Sequence, residues 1–357
     1  MNLRVRPWLD RIDPYRPGKP ATSGDGSLAS NESPIGTSRS VLTAISRAAH
    51  RVHRYPDPLA DELRDELAVR HGVTPDHILV GNGSDELIYL LALAYLARDG
   101  RAVCADPAYR IDEISAHVVD AHLTKVPLLD WRHDLDAMGE IGADIAYVVN
   151  PHNPTGTVRS RAEIEAFTAT GGAGLVVVDE AYIDFADDPV ELTAMPLVAG
   201  GRVAVLRTFS KLYGLAGMRI GYLVAAPAVV ETLRKIRAPF SVSSLAQAAA
   251  LAALRDSAFS EGARRYSIAG REALTRMFEE AGYTVVPSQA NFVLVEAADE
   301  YELVDRLEAA GVSVRPGGSL GVPGTVRVSV PSDAGRELVA RSLGIDSDAA
   351  TAMVERA

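Results

Sequence analysis

Leu175-Val176-Val177-Val178-Asp179 is apolar at every position until its last, where a carboxylate appears. A half-covered strand alternates apolar and polar residues, whereas an unbroken apolar run is the pattern of a strand covered on both faces. Other short β-rich runs stand around it: HILV, RAVCA, IAYVV, VAVLRT and IGYLVA. From residue 76 these alternate with longer amphipathic stretches, which predicts an α/β fold with a mostly parallel sheet covered by helices. Upstream, residues 41–72 carry helical periodicity broken at Tyr55-Pro56-Asp57-Pro58, and residues 1–40 read as an irregular arm rich in Pro, Gly and Ser. After Pro239 the pattern changes. A long Ala-rich helical region over 243–281 precedes strand-like TVVP, NFVLVE, VSVRP and TVRVSV, with helices at 301–310 and 333–343. The expected organisation is an arm (1–40), a large domain (41–238) and a smaller α+β domain (239–357).

With 357 residues and a formal charge of −11, the chain is long enough for two cores. Its acidity weighs against general nucleic-acid binding, which needs a basic footprint. It also requires that any anionic substrate be captured by local positive charge. The single cysteine, Cys104, lies in the apolar run RAVCADP and reads as inert core in a reducing compartment. The first twenty residues are charged and Pro-rich with no apolar segment, so no signal peptide is expected. Leu87 to Ala97 is too short to span a bilayer. A cytoplasmic protein with no membrane partner is the default expectation. His50 with His53, and His117 with His122, do not form a metal-ligand set by spacing.

Four stretches carry chemistry. Gly81-Asn82-Gly83-Ser84-Asp85-Glu86 follows HILV and is expected to open a helix at Leu87. Exposed amides at a helix start favour a phosphate. A dinucleotide reading also arises, because Asp106 ends the next strand about twenty residues on. Glu86, however, stands where that fingerprint needs its third glycine. Asn150-Pro151-His152-Asn153-Pro154-Thr155-Gly156 follows IAYVV, and its two Asn-Pro steps enforce a non-helical loop. Asp179-Glu180-Ala181-Tyr182 puts a carboxylate at the end of a buried strand, which is costly unless a cation or donor meets it. Capping of a following helix is the plainer role for that aspartate. Thr208-Phe209-Ser210-Lys211, with Arg219 beyond the glycines, places an amine, two hydroxyls and a guanidinium on one turn. A lysine desolvated there is a Schiff-base nucleophile candidate, and the other groups suit phosphate. Taken singly, each stretch has an ordinary structural explanation. Taken together, all four fall at the C-terminal ends of expected strands, where α/β sheets bind ligands. They offer what pyridoxal phosphate needs: phosphate anchors, an amine, a carboxylate for its ring nitrogen and donors for its phenolic oxygen.

Over essentially its whole length the chain resembles the class I/II aminotransferases, in the histidinol-phosphate aminotransferase branch that includes bacterial aromatic aminotransferases. The resemblance rests on Pro14-Tyr15-Arg16-Pro17-Gly18-Lys19, LASNESPIG, RYPDP, GNGSDE, NPHNPTG, DEAY, RTFSKLYGLAGMRIGY, PFSVSSLAQAAA, PSQANFVLV and TVRVSV. It implies a fold-type I enzyme, a pyridoxal-phosphate-dependent transaminase. Lys211 would form the Schiff base and shuttle the substrate proton. Asp179 would pair with the ring nitrogen, Asn153 and Tyr182 with the phenolic oxygen, and Tyr109 would stack on the ring. Gly83, Ser84 and Asp85, with Thr208, Ser210 and Arg219, would hold the phosphate. Tyr55 would reach the phosphate of a neighbouring subunit, implying a homodimer with shared sites. Arg327 would bind the substrate carboxylate or the phosphate of histidinol phosphate, and Tyr15 and Asn31 would line the substrate pocket. The substrates implied are glutamate or a similar donor, with imidazole-acetol phosphate or an aromatic 2-oxo acid as acceptor.

Three positions depart from the family pattern. Arg110-Ile111-Asp112-Glu113 follows Tyr109 where small or aromatic residues are usual. A second arginine shortly after the one matched by Arg327 has no match in register, Arg336 and Arg341 being the nearest; its lack would favour aromatic 2-oxo acids or another amine donor. His152 stands where asparagine is common and reads as a tolerated change. Three other functions stay open. One is a decarboxylase or lyase using the same cofactor, which would release no 2-oxo acid from a donor. A second is a ligand-sensing regulator, although no basic helix-turn-helix segment is visible. The third is a nicotinamide oxidoreductase, which rests on GNGSDE alone.

Overall fold

The computed structural model describes residues 5–14, 21, 23–97 and 99–346. Among these, seven strands form the larger sheet: β1 Ile78–Gly81, β2 Arg101–Asp106, β3 His122–Pro127, β4 Ala143–Val149, β5 Ala173–Asp179, β6 Val203–Thr208 and β7 Gly221–Val224. Their order is β1-β7-β6-β5-β4-β2-β3, with β7 antiparallel to both of its neighbours and every other pairing parallel. Apolar side chains fill both faces. Val176, Val178, Val203 and Val205 point into one cluster, and Leu175, Val177, Ala204 and Leu206 into the other. That two-sided burial is why the central runs read as unbroken apolar stretches. HLTKVP, strand β3, is an additional edge strand absent from the sequence-based reading. Only Val126 of its six residues is buried, and His122, Thr124 and Lys125 dilute the apolar signal. Cys104 is buried in the second cluster, and burial pushes its thiol pKa up, as befits an inert core residue.

Four further strands, β8 Thr284–Val286, β9 Phe292–Glu296, β10 Arg315–Pro316 and β11 Thr325–Ser329, form an antiparallel sheet in the order β10-β11-β9-β8. The helices Ser257–Glu280, Glu300–Ala309 and Asp333–Leu343 cover it through Leu274, Met277, Phe278, Leu303, Leu307 and Val339. The Ala-rich helical region comprises two helices. Asp256 ends Ser244–Arg255, and its side chain caps the next helix by accepting from Phe259 N at 3.2 Å. The N-terminal segment is integrated with the smaller sheet. Leu28 N donates to Ser313 O at 2.9 Å and Ser313 N to Gly26 O at 2.8 Å, while the Leu28 side chain joins the smaller core. Among the described residues no helix is long and apolar enough to cross a membrane.

Candidate active site

Strands β1, β2, β4, β5 and β6 run in one direction, so Gly81, Asp106, Val149, Asp179 and Thr208 end on one edge of the sheet. A cavity of about 770 Å³ opens there, closed on its far side by β10, β11 and the segment around Asn31. Asp179 lies buried in its wall, with Oδ1 accepting from Ala181 N at 3.0 Å. Burial pushes its pKa up to about 7. The Ala181 N–H opposes the rise, Asp85 and Glu180 add to it, and the Lys211 charge opposes it. A cationic ring nitrogen brought to this carboxylate would restore its ionised form.

Lys211 follows β6 on the Phe209–Tyr213 turn, and its Nζ donates to Ser30 O at 3.0 Å. The same amine lies 5.5 Å from the centre of the Tyr182 ring. The Tyr182 hydroxyl accepts from Asn31 Nδ2 at 3.1 Å and from Asn153 Nδ2 at 3.5 Å. Asn153 Oδ1 in turn accepts from Arg327 Nη1 at 2.6 Å, and Arg327 Nη2 donates to Ala29 O at 2.6 Å. One chain of hydrogen bonds thus joins the smaller sheet, the loops after β4 and β5, and the N-terminal segment. Asn31 is held in a left-handed conformation (φ 55°), with its N–H donating to Ser329 Oγ at 2.9 Å.

The phosphate-type end forms around the helix Gly83–Tyr95, which opens four residues earlier than Leu87. Gly83, Ser84 and Asp85 therefore lie in its first turn, where amides have no intrahelical acceptor. Two glycines keep this end open. A Cβ on Gly83 (φ +77°) would lie 2.7 Å from Arg219 Nη2, and one on Gly221 would lie 2.7 Å from Ser84 N. Arg219 Nη2 reaches Asp85 Oδ2 at 3.1 Å, the Tyr109 hydroxyl donates to Asp85 Oδ1 at 2.9 Å, and Thr208 Oγ1 stands 2.9 Å from Ser210 Oγ. Glu86 turns back to accept from Asn82 N at 2.5 Å. Asp106 pairs with Lys125 at 3.4 Å. These contacts occupy the two acidic groups that a dinucleotide reading would have to explain.

Among the described residues, Tyr55, Arg336 and Arg341 stand apart from this cavity. Tyr55 is 83% exposed, stacks on Phe240 with centroids 4.7 Å apart, and does not line this cavity. Tyr15 lies outside the described residues. Of the two arginines weighed as a second anion anchor, Arg336 pairs with Asp333 at 3.0 Å and Arg341 is exposed; neither lines the cavity. The residue that does so is Arg315, which the sequence reading missed. It is buried on β10 directly across from Arg327 on β11, and both line the cavity. The charged stretch after Tyr109 also reaches the cavity wall. Arg110 Nη1 donates to Glu113 Oε2 at 2.9 Å, Arg110 Nη2 to Asp13 O at 2.8 Å, and Lys125 Nζ lies 3.8 Å from Glu113 Oε1. Asp112, in contrast, points into the interior and is buried. His152 is buried, with Nε2 3.2 Å from Pro107 O and Nδ1 2.9 Å from Thr155 Oγ1.

The residues present fit pyridoxal phosphate. A glycine-lined anion cradle, a buried carboxylate and an amine line one cavity large enough for cofactor and substrate together.

Residues 26–343 match the family model "Aminotransferase class I and II". The chain is 38% identical over 355 residues to a histidinol-phosphate aminotransferase of Moorella thermoacetica, covering 95% of this chain and 92% of that protein. It is 40% identical over 339 residues to that of Symbiobacterium thermophilum, covering 91% and 94%. Among solved structures, the histidinol-phosphate aminotransferase of Sinorhizobium meliloti in complex with pyridoxal 5′-phosphate superposes with a TM-score of 0.86 at 28% identity, over 100% of this chain and 99% of that one.

Proposed function

Because the chain belongs to the class I and II aminotransferases and is a pyridoxal-phosphate-dependent transaminase, we propose that it moves an amino group between glutamate, or a similar donor, and the histidinol phosphate/imidazole-acetol phosphate pair. The observation that carries this reading is the pairing of Arg315 with Arg327, two buried guanidinia in register on neighbouring strands of the cavity wall. One arginine fork suffices for a carboxylate, whereas a phosphomonoester dianion calls for more positive charge and more donors. The names of the relatives support the same substrate. The ionic wall of Arg110, Glu113, Lys125 and Asp106 weighs against an apolar aromatic side chain, which would strip water from charges without replacing their hydrogen bonds.

Pyridoxal phosphate, when bound, supplies the carbonyl that receives the amine and the ring that takes up the electron pair released at the substrate carbon. The protein's part is to hold, orient and move a proton. Lys211 carries the proton to and from the substrate carbon, its amine aimed inward by the Ser30 carbonyl. Asp179 would accept a hydrogen bond from the ring nitrogen of the bound cofactor and hold the proton there. Asn153 and Tyr182 would donate toward the phenolic oxygen and Tyr109 would cover one ring face, while Asn31 positions Tyr182 through its hydroxyl. Gly83, Ser84, Asp85, Thr208, Ser210 and Arg219 take the cofactor phosphate. Tyr55 serves the cofactor phosphate of a second copy in a homodimer.

The test is a donor panel with 2-oxoglutarate as acceptor. Histidinol phosphate is the preferred donor, and Arg315→Ala lowers its kcat/KM roughly 10- to 100-fold, the size of one lost charge-assisted hydrogen-bonding partner. Turnover of phenylalanine or tyrosine with none of histidinol phosphate would reject the proposal. Carbon dioxide release without transfer to 2-oxoglutarate would assign the protein to the decarboxylases instead.

A further inference from the structure

Glu180 and Arg207 adjoin two cofactor-site residues, Asp179 on β5 and Thr208 on β6. In the parallel register Val178 lies beside Val205 and Asp179 beside Leu206, and Glu180 N continues the ladder by donating to Leu206 O at 2.9 Å. Successive side chains point to opposite faces. Asp179 and Thr208 face the cavity, while Glu180 and Arg207 meet on the other side of the sheet. Arg207 Nε and Nη2 reach Glu180 Oε2 at 2.8 and 2.7 Å. Thr193 Oγ1 donates to the same carboxylate at 2.8 Å, and Ala194 N donates to its other oxygen at 2.6 Å. Arg207 Nη1 lies 3.3 Å from Asp184 Oδ1. The Glu180 side chain is wholly buried and that of Arg207 is 12% exposed.

Stability alone is a weak reason for such a pair, because well-packed apolar residues of similar volume often hold a core as well or better. Directional, charge-assisted bonds add a geometric specificity that apolar contact lacks, and between side chains of two strands they constrain the offset of one along the other. We propose that Glu180 and Arg207 are a positioning pair that sets β5 against β6, and so holds Asp179 and the Thr208–Ser210 cup at the spacing one pyridoxal phosphate spans between ring nitrogen and phosphate. The inference rests on the cofactor and is independent of which substrate the enzyme takes.

The experiment uses holoenzymes carrying Arg207→Met, Arg207→Lys, and the double change Arg207→Met with Glu180→Met. Three quantities are read: the dissociation constant of pyridoxal phosphate on dilution, the circular dichroism of the bound cofactor's absorption band, and the urea midpoint. Arg207→Met weakens cofactor binding roughly tenfold or more, the scale seen when an outer partner of a site residue is lost, and lowers the urea midpoint by stranding Glu180. The double variant strands no buried carboxylate, since Asp184, the other partner of Arg207, is part-exposed; it regains the midpoint but keeps the weak binding and diminished dichroism. Arg207→Lys, which keeps the charge without the fork, falls between Arg207→Met and the wild type in affinity. Recovery of affinity and dichroism together with the midpoint in the double variant would overturn the proposal, as would unchanged affinity in Arg207→Met. Should the single Met variant fail to fold, the double variant and Arg207→Lys decide the matter by the same criteria.

Discussion

Asp179 joins the cost of burial to the use made of it. Burial, only partly offset by the Ala181 N–H and the Lys211 charge, raises its pKa from 3.8 to about 7. The folded, cofactor-free chain therefore holds a proton at Asp179 over a pH range in which the unfolded chain has released it. Where the folded state binds more protons, stability falls as pH rises. The contribution is present in full below the unfolded value and is lost between about pH 4 and pH 7, amounting to some 4 kcal/mol by linkage. Urea midpoints of cofactor-free protein are expected to show this decline, and Asp179→Asn to remove it. A variant with the same slope as the wild type would assign the pH dependence to other groups. Lys211 and Asp179 could be singled out from sequence because each closes or follows an apolar strand, where a charged residue is conspicuous. Arg315 gave no such signal. VSVRP looks like any strand with a polar end, and its relation to Arg327 depends on an antiparallel pairing that spacing along the chain does not reveal.

Among the elements, the loop after β4 shows how one side chain can secure a junction. His152 bridges the loop to Pro107, which follows β2, and its neutral ring donates from Nε2 while accepting at Nδ1 from Thr155. Burial lowers its pKa from 6.5 to about 4, against the pull of the Pro107 carbonyl. Here the sign is the reverse of that for Asp179. The unfolded chain takes up a proton that the folded chain refuses, so the stability is present above pH 6.5 and is lost as pH falls toward 4. His152→Asn is expected to unfold less steeply between pH 6.5 and 4, by about 3 kcal/mol at the acid end, as measured by urea titration across that range. An unchanged acid profile would mean that the ring titrates without cost. The elements also show where periodicity misleads. The Ala-rich stretch reads only as a helical region, because the break at Asp256 takes a single position, while its side chain starts the next helix. The glycines of GNGSDE read as loop, although Gly83 at φ +77° already begins the helix.

At the scale of the molecule, the cavity is assembled from both sheets and the N-terminal segment, and Tyr55 lies outside it. An exposed tyrosine stacked on Phe240 is a surface a second copy could cover. If Tyr55 completes the partner's site, two inactive variants complement each other. Lys211→Ala and Tyr55→Ala, each of low activity alone, are refolded together. The hybrid dimer then carries one site with both defects and one with neither, and random mixing restores about a quarter of the wild-type sites. Sedimentation of the wild type is expected at twice the 38.0 kDa chain mass. Activity of the mixture no greater than the sum of the separate variants would reject shared sites.

The α/β class, most of the strands of both sheets and the strand-end positions of Asp179, Lys211 and the NPHNPTG loop were decided by local sequence. Each depends on the burial pattern or backbone preference of a few consecutive residues, and the fold carries that pattern unchanged. The tertiary structure alone decided what faces the cofactor site from afar. Arg315 lies beside Arg327 by strand register, Asn31 reaches Tyr182 across 151 residues, and Glu180 meets Arg207 behind the sheet. Those contacts depend on packing between elements distant along the chain, and no property of the nearby sequence specifies their partners.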